Sequence, residues 1–261
     1  MSKFIDKLNR LSRGEPQAIG FTARQTTPSK PKIQLVACLA ADNAESLTGH
    51  IAGADAGLLN ISKLASGAET LRKFSQSQPD FIWGGWLKGR NNGDMKQLNM
   101  AGCDFVVFSA VDTPLTTMKN NKETGKILEV EASLSEGMLR TCNELPVDAV
   151  LIAVEEKETS VLTWQQLMLF QRSADLLTKP LLVLVPSTVT AAELEVLWEA
   201  GVTAVVIEIT AKQPENRLME LRQEIDKIEF SSRRSKRDGV LVPRVSPPGR
   251  TTTQEDEEED E

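Results

Sequence analysis

The 261-residue chain has no tyrosine, one histidine (His50), three cysteines and only 5% aromatic residues. A single histidine rules out a His-rich metal site and argues against a Ser-His-Asp triad or a Cys-His dyad. Cys38, Cys103 and Cys142 form an odd, scattered set with no CxxC spacing. That pattern argues for a reducing cytoplasm and against a disulfide framework or a cysteine-based zinc site. No stretch reaches eighteen apolar residues, so no membrane-spanning helix is expected. The start, Met1-Ser2-Lys3-Phe4-Ile5-Asp6-Lys7, has no apolar h-region of a secretory signal. An excess of basic charge is also missing. With 30 Lys and Arg against 37 Asp and Glu, the net charge is -7. Neither nucleic acid nor a membrane surface is therefore expected as a partner.

What is present is ordinary for a globular protein: 40% apolar and 26% charged residues. The length allows one large α/β domain or two modest ones. Three zones differ in composition. Residues 1–31 comprise a short helix over 1–14 and a connector. Phe4, Ile5, Leu8 and Leu11 share one stripe of that helix, and Ser2 can cap it. Pro16, Gly20, Pro28 and Pro31 mark the connector. Residues 32–229 form the body. Residues 230–261 read as a disordered charged tail, with a basic block at Ser231–Arg237 and an acidic run at Glu255–Glu261. The basic block is read as pairing loosely with the acidic run; the alternative is contact with an acidic partner or nucleic acid.

The body holds eight short apolar runs: Lys32–Leu39, Ala56–Ile61, Phe81–Trp86, Phe105–Ser109, Ile127–Ala132, Ala149–Val154, Leu181–Val185 and Ala204–Ile209. Most are continuous rather than alternating, as in parallel strands buried on both faces. Helix signals lie between them. Ser66-x-x-Glu69, Thr163-x-x-Gln166 and Thr190-x-x-Glu193 fit capping boxes. Gly201 sits where a helix end wants positive φ. A repeat is also visible. Gly53-Ala54-Asp55, Gly102-Cys103-Asp104, Pro146-Val147-Asp148 and Gly201-Val202-Thr203 each precede an even-numbered run. Eight βα units in about 200 residues fit a closed (β/α)8 barrel, an α/β TIM barrel with an extra N-terminal helix and a disordered tail. An open doubly wound sheet fits less well, because no GxGxxG follows the first run.

This phrasing resembles the aldolase-type TIM-barrel superfamily, and within it the ribulose-phosphate-binding group that includes indole-3-glycerol-phosphate synthase. Leu128-Glu129-Val130 with Glu136 and Leu139 is similar to that group's fifth strand and helix. Lys179-Pro180-Leu181 through Gly201-Val202-Thr203-Ala204-Val205-Val206 is similar to its seventh and eighth units. The resemblance implies a lyase, isomerase or synthase. Two departures stand out. Ala37-Cys38-Leu39-Ala40-Ala41-Asp42 replaces the synthases' catalytic lysine and Ser-Pro motif. Pro186-Ser187-Thr188 and Glu208-Ile209-Thr210 replace the glycine-rich turns of phosphate binders.

Ligands of such barrels meet the C-terminal strand ends. Those ends carry Asp42, Asn60, Lys88, Ser109, Asp112, Glu129, Glu131, Glu155, Ser187 and Glu208. Glu129 and Glu131 share one face of their strand, opposite Leu128 and Val130. The outer face must be apolar, so both carboxylates are expected at the mouth. Close carboxylates under partial burial are the setting of a general acid or base. A rim pair salt-bridged to Lys88 or Lys157 is the plainer reading. Trp83-Gly84-Gly85-Trp86-Leu87-Lys88 is the second candidate. Its glycines allow close approach, Trp86 can stack on a planar ligand and Lys88 can bind an anion. The plainer alternative is a bulged strand with two core tryptophans. Asn60, Ser109 and Glu208 complete the ligand-orienting set. Cys38 and Cys103 read as core residues and His50 as a surface residue.

The expected function is therefore a carboxylate-using enzyme of small-molecule chemistry, with Glu129, Glu131 and Lys88 as catalytic groups. The alternative is a non-catalytic barrel serving as a binding or scaffold protein. No cofactor is expected. Glu208 with Glu129 and Glu131 could hold Mg²⁺, with a rim charge as the plainer reading, and a flavin lacks its late glycines. A small-molecule ligand is the expected partner, and an oligomer is left open.

Overall fold

The computed structural model describes residues 2–13, 32–40, 47–89, 95–118, 123–153, 161–211 and 213–228. The expected tail (230–261) and connector lie outside these, as do Asp42, Glu155 and Lys157. Eight strands run in chain order and close on themselves. They are β1 (Gln34–Ala40), β2 (Ala56–Ile61), β3 (Trp83–Leu87), β4 (Phe105–Ser109), β5 (Gly125–Glu131), β6 (Ala149–Ala153), β7 (Leu181–Val185) and β8 (Ala204–Ile209). Every neighbouring pair is parallel, including β1 with β8. The helices are α1 (Lys3–Arg13), α2 (Leu64–Ser77), α3 (Lys96–Met100), α4 (Leu115–Met118), α5 (Glu136–Thr141), α6 (Trp164–Leu176), α7 (Ala191–Glu199) and α8 (Arg217–Lys227). The first βα unit departs from expectation. A 3₁₀ stretch at 47–51 stands where the others carry an α-helix.

The continuous apolar strands serve two cores. Val36, Leu58, Val107, Ile127, Leu182 and Val206 point into the barrel. Their neighbours Leu35, Leu59, Val106, Leu128, Val183 and Val205 pack under the helices. Alternation of side chains along each strand makes both faces possible, and burial of both requires apolar residues at nearly every position.

The N-terminal helix α1 closes the barrel floor. Phe4, Ile5 and Leu8 are buried in the inner core, and Phe4 stacks on Phe105 with ring centroids 4.5 Å apart. Asp104 holds the helix start. Its carboxylate accepts from the backbone N–H groups of Lys3 (2.8 Å) and Phe4 (2.9 Å) and from the Ser2 hydroxyl (2.7 Å). These are orphan donors of a helix N-terminus, and a carboxylate there also meets the positive end of the dipole. Room for the helix comes from small inner residues. A Cβ on Gly125 would lie 2.4 Å from Ile5 Cγ1.

The sequence repeat has a structural reason. At the entry to each even strand, a backbone N–H donates to the start of the preceding strand. The pairs are Asp55 to Leu35, Asp104 to Trp83, Asp148 to Lys126 and Thr203 to Leu181, all at 2.8 Å. Asp55 and Asp148 also accept back from Leu35 and Lys126 at 2.8 Å. Asp104 directs its carboxylate to α1 instead.

The boxes at Thr163–Gln166 and Thr190–Glu193 form as expected, and Gly201 adopts φ +99° after α7. Ser66 does not cap. The helix α2 already begins at Leu64, because Leu64 is drawn into the outer core, and Ser66 bonds back to the Lys63 carbonyl.

Candidate functional site

The residues expected at the mouth alternate inward with the inner core, so they collect at the C-terminal end of the barrel. Register sets Asn60 beside Trp86, Ser109 beside Glu129, and Glu208 beside Cys38. Trp86 is fully buried and forms the floor under this end. Its indole Nε1 donates to Glu129 Oε2 at 2.6 Å. Lys88 follows β3 and reaches the other oxygen of the same carboxylate, Nζ to Oε1 3.4 Å. The ammonium also lies 3.5 Å from the centre of the Trp86 ring. Glu129, Trp86 and Lys88 thus make one closed triangle: indole N–H to carboxylate, carboxylate to ammonium, ammonium to π face.

Glu131 points the same way but stands higher, exposed at the rim, where it accepts from Ser133 at 3.1 Å. Ser109 is held by its own turn: the Val111 and Asp112 N–H groups donate to its hydroxyl, which donates to Asp112. A cavity of about 390 Å³ opens over the end of β5, between the barrel rim and α5. Ser109, Asp112, Glu129, Glu131 and Thr141 supply its polar lining, and Leu134, Met138 and Cys142 are among its apolar wall. The wall residues come from α5 and its flanks, and no sequence motif had pointed to them.

Among the described inward-facing residues at this end, Glu129, Glu131 and Glu208 stand around the Lys88 ammonium. Among the described residues, no cluster of three or more His, Cys, Asp or Glu has the arrangement of a metal site. Cys38 lies beneath, where burial first and then the Glu208 charge push its thiol well above the usual range. Burial likewise pushes Cys103 up to about 12. Both are core residues, as expected, and neither is poised as a nucleophile.

Two expectations change. The paired glycines of β3 make room for side chains rather than a ligand. A Cβ on Gly84 would lie 2.5 Å from the Phe105 ring, and one on Gly85 would lie 2.9 Å from Ile61. The two tryptophans occupy separate cores, Trp83 against Phe74 and Phe81 outside and Trp86 inside. His50 is buried rather than on the surface, because the 3₁₀ stretch around it tucks Leu47 and Ile51 into the outer core. No described helix is long and apolar enough to cross a membrane.

No family model matches the chain, and no curated protein matches it either. Solved structures do match. They include single-residue variants of the tryptophan synthase alpha-subunit from the hyperthermophile Pyrococcus furiosus. One such variant aligns with TM-score 0.59 at 12% identity, over 76% of this chain and 98% of that one. A second aligns with TM-score 0.59 at 11% identity, over 76% and 97%. At this identity the likeness concerns architecture. The chain has the fold of these alpha-subunits, a closed (β/α)8 barrel.

Proposed function

We propose that the barrel mouth binds a small organic molecule and that Glu129 transfers a proton to or from it, in a lyase- or isomerase-type reaction. The observation that carries this reading is the double engagement of Glu129 by Trp86 and Lys88, at the edge of a cavity of ligand size. A carboxylate held by two donors is oriented, and Lys88 can swing from it to a developing negative charge on the ligand. Glu131 at the rim and Asn60 and Glu208 across the mouth would orient the ligand. The three described carboxylates Glu129, Glu131 and Glu208 disfavour a phosphate ester and favour a neutral or cationic ligand. The three free, buried thiols fit a protein of the cytoplasm.

A second reading is a barrel that binds without catalysis. It is favoured by the Lys88 ammonium, which already covers the Trp86 face that a planar ligand would use. Thermal-shift screening of small polar metabolites against the parent, Glu129→Gln and Lys88→Met separates the two. Hits lost in Glu129→Gln, with turnover lost as well, support the enzyme. Hits that bind the parent and Glu129→Gln equally remove Glu129 from the site.

A further inference from the structure

The two donors that meet the Glu129 carboxylate are unequal. The Trp86 indole lies 2.6 Å from Oε2 and belongs to a fully buried ring. The Lys88 ammonium lies 3.4 Å from Oε1. That is longer than the roughly 2.7–2.9 Å of a well-made ammonium–carboxylate hydrogen bond. The Lys88 side chain is 39% exposed. It stands one residue past β3, where Gly89 turns the chain at φ +74°. A flexible stem that is already partly in water releases its ammonium at small desolvation cost. What Lys88 uncovers on leaving is specific. It is a carboxylate oxygen still aimed by the indole, beside a tryptophan face whose centre lies 3.5 Å from the ammonium. An anionic acceptor next to a π face is the chemistry that recognises an ammonium group. The chain fills this place with an ammonium of its own.

We propose that the ligand of the mouth is an organic amine, whose ammonium takes the place of Lys88 Nζ between Glu129 Oε1 and the Trp86 face while Lys88 turns to solvent. The proposal rests on the reading of the mouth as a small-molecule site and names the class of molecule. Charge favours the exchange. Glu131 and Glu208 stand with Glu129 among the described inward-facing residues, so a cation added to Lys88 is met by carboxylates. The same carboxylates select against amino acids, because an acid group beside the ammonium would face Glu131 or Glu208. The body of the amine is apolar. Glu129 also lines the cavity over β5, whose wall includes Leu134, Met138 and Cys142. At about 390 Å³ that cavity has the size of a small-ligand site. Lys88 is then a resident competitor. It keeps the carboxylate paired between ligands, and each ligand has to displace it.

The test uses the full chain and a cation, a neutral molecule and an anion of nearly one shape: 2-phenylethylamine, 2-phenylethanol and 3-phenylpropionate. Binding is followed at the Trp86 indole N–H by ¹⁵N-edited NMR. The amine should bind about tenfold tighter than the alcohol, and the propionate should not bind. Added NaCl should weaken the amine alone. Lys88→Met should tighten the amine about threefold or more, because no resident ammonium has to leave. Glu129→Gln should weaken it about tenfold or more. Lys88→Met alters a partly exposed side chain, so it carries the test even where Glu129→Gln does not fold. Weaker binding of the amine by Lys88→Met than by the parent would overturn the proposal. So would a propionate that binds tighter than the amine, or an amine that binds neither protein at millimolar concentration. An alcohol that binds as tightly as the amine would also overturn it; if that binding is lost in Glu129→Gln, the proton-transfer reading survives without the ammonium. Amine binding with the expected preferences, but with no turnover that depends on Glu129, would support the ammonium site and leave the barrel a binding protein.

Discussion

Trp86 and Glu129, 43 positions apart in the chain, meet at 2.6 Å inside the barrel mouth, where the indole N–H has the carboxylate as its acceptor. Both belong to the inner face; Trp86 is fully buried, and Glu129 is largely buried with its carboxylate at the cavity edge. Hydrogen bonds to a charged acceptor typically contribute about 1.5–3 kcal/mol. Replacing Trp86 with Phe keeps an aromatic ring and removes the donor. The expected loss of stability is therefore in that range, read by urea unfolding. A loss below about 0.5 kcal/mol would show that water replaces the indole without penalty.

The floor helix makes a separate prediction. Phe4→Ala removes a fully buried ring stacked on Phe105 and should cost about 3–5 kcal/mol. Asp104→Ala removes the acceptor of two backbone donors and should cost about 0.5–2 kcal/mol. The two effects should fall short of additive, because both act by detaching α1. Urea titration of the single and double variants checks this. Fully additive effects would mean that Asp104 does not act through the helix.

The thiols predict an alkaline slope. Burial raises all three in the folded state, with Cys103 up to about 12. In the unfolded chain they ionise near the ordinary value of about 8.5. The folded form therefore binds more protons above that value. The stabilising contribution is fully present below about pH 8.5 and is lost as pH rises toward the folded values. Thermal midpoints should fall between pH 8 and 10, and Cys38→Ala or Cys103→Ala should flatten the fall. No thiol should react with Ellman's reagent before unfolding. Rapid reaction of Cys38 in the native state would contradict its placement beneath the mouth.

Much of the architecture was legible because the strands are buried on both faces. Ala56–Ile61, Phe105–Ser109, Leu181–Val185 and Ala204–Ile209 coincide residue for residue with apolar runs. The inward placement of Glu129 followed from alternation along β5. What could not be read was which distant side chain each would meet. The Trp86–Glu129–Lys88 triangle depends on the β3–β4–β5 register. The burial of His50 depends on a first βα unit that carries a 3₁₀ stretch at 47–51 where the others carry an α-helix. The role of α1 was hidden for a similar reason: its apolar stripe was evident, but its seat is made by Gly125, where a Cβ would meet Ile5, while Gly84 makes room for the Phe105 ring on which Phe4 stacks. Gly84 had looked like space for a ligand.

The measurement closest to the central claim follows the Trp86 indole N–H by ¹⁵N-edited NMR, with the resonance identified by its loss in Trp86→Phe. This proton reports the Glu129 carboxylate directly. Small neutral and cationic metabolites are titrated into the parent and into Glu129→Gln. If Glu129 is the working group of the mouth, ligands that bind will shift the Trp86 indole resonance in the parent and will bind Glu129→Gln at least tenfold more weakly, which corresponds to about 1.4 kcal/mol. Ligands that leave that resonance unmoved and bind both proteins alike, or a mouth that binds none of them, would contradict the account and leave the barrel without a role for Glu129 in ligand chemistry.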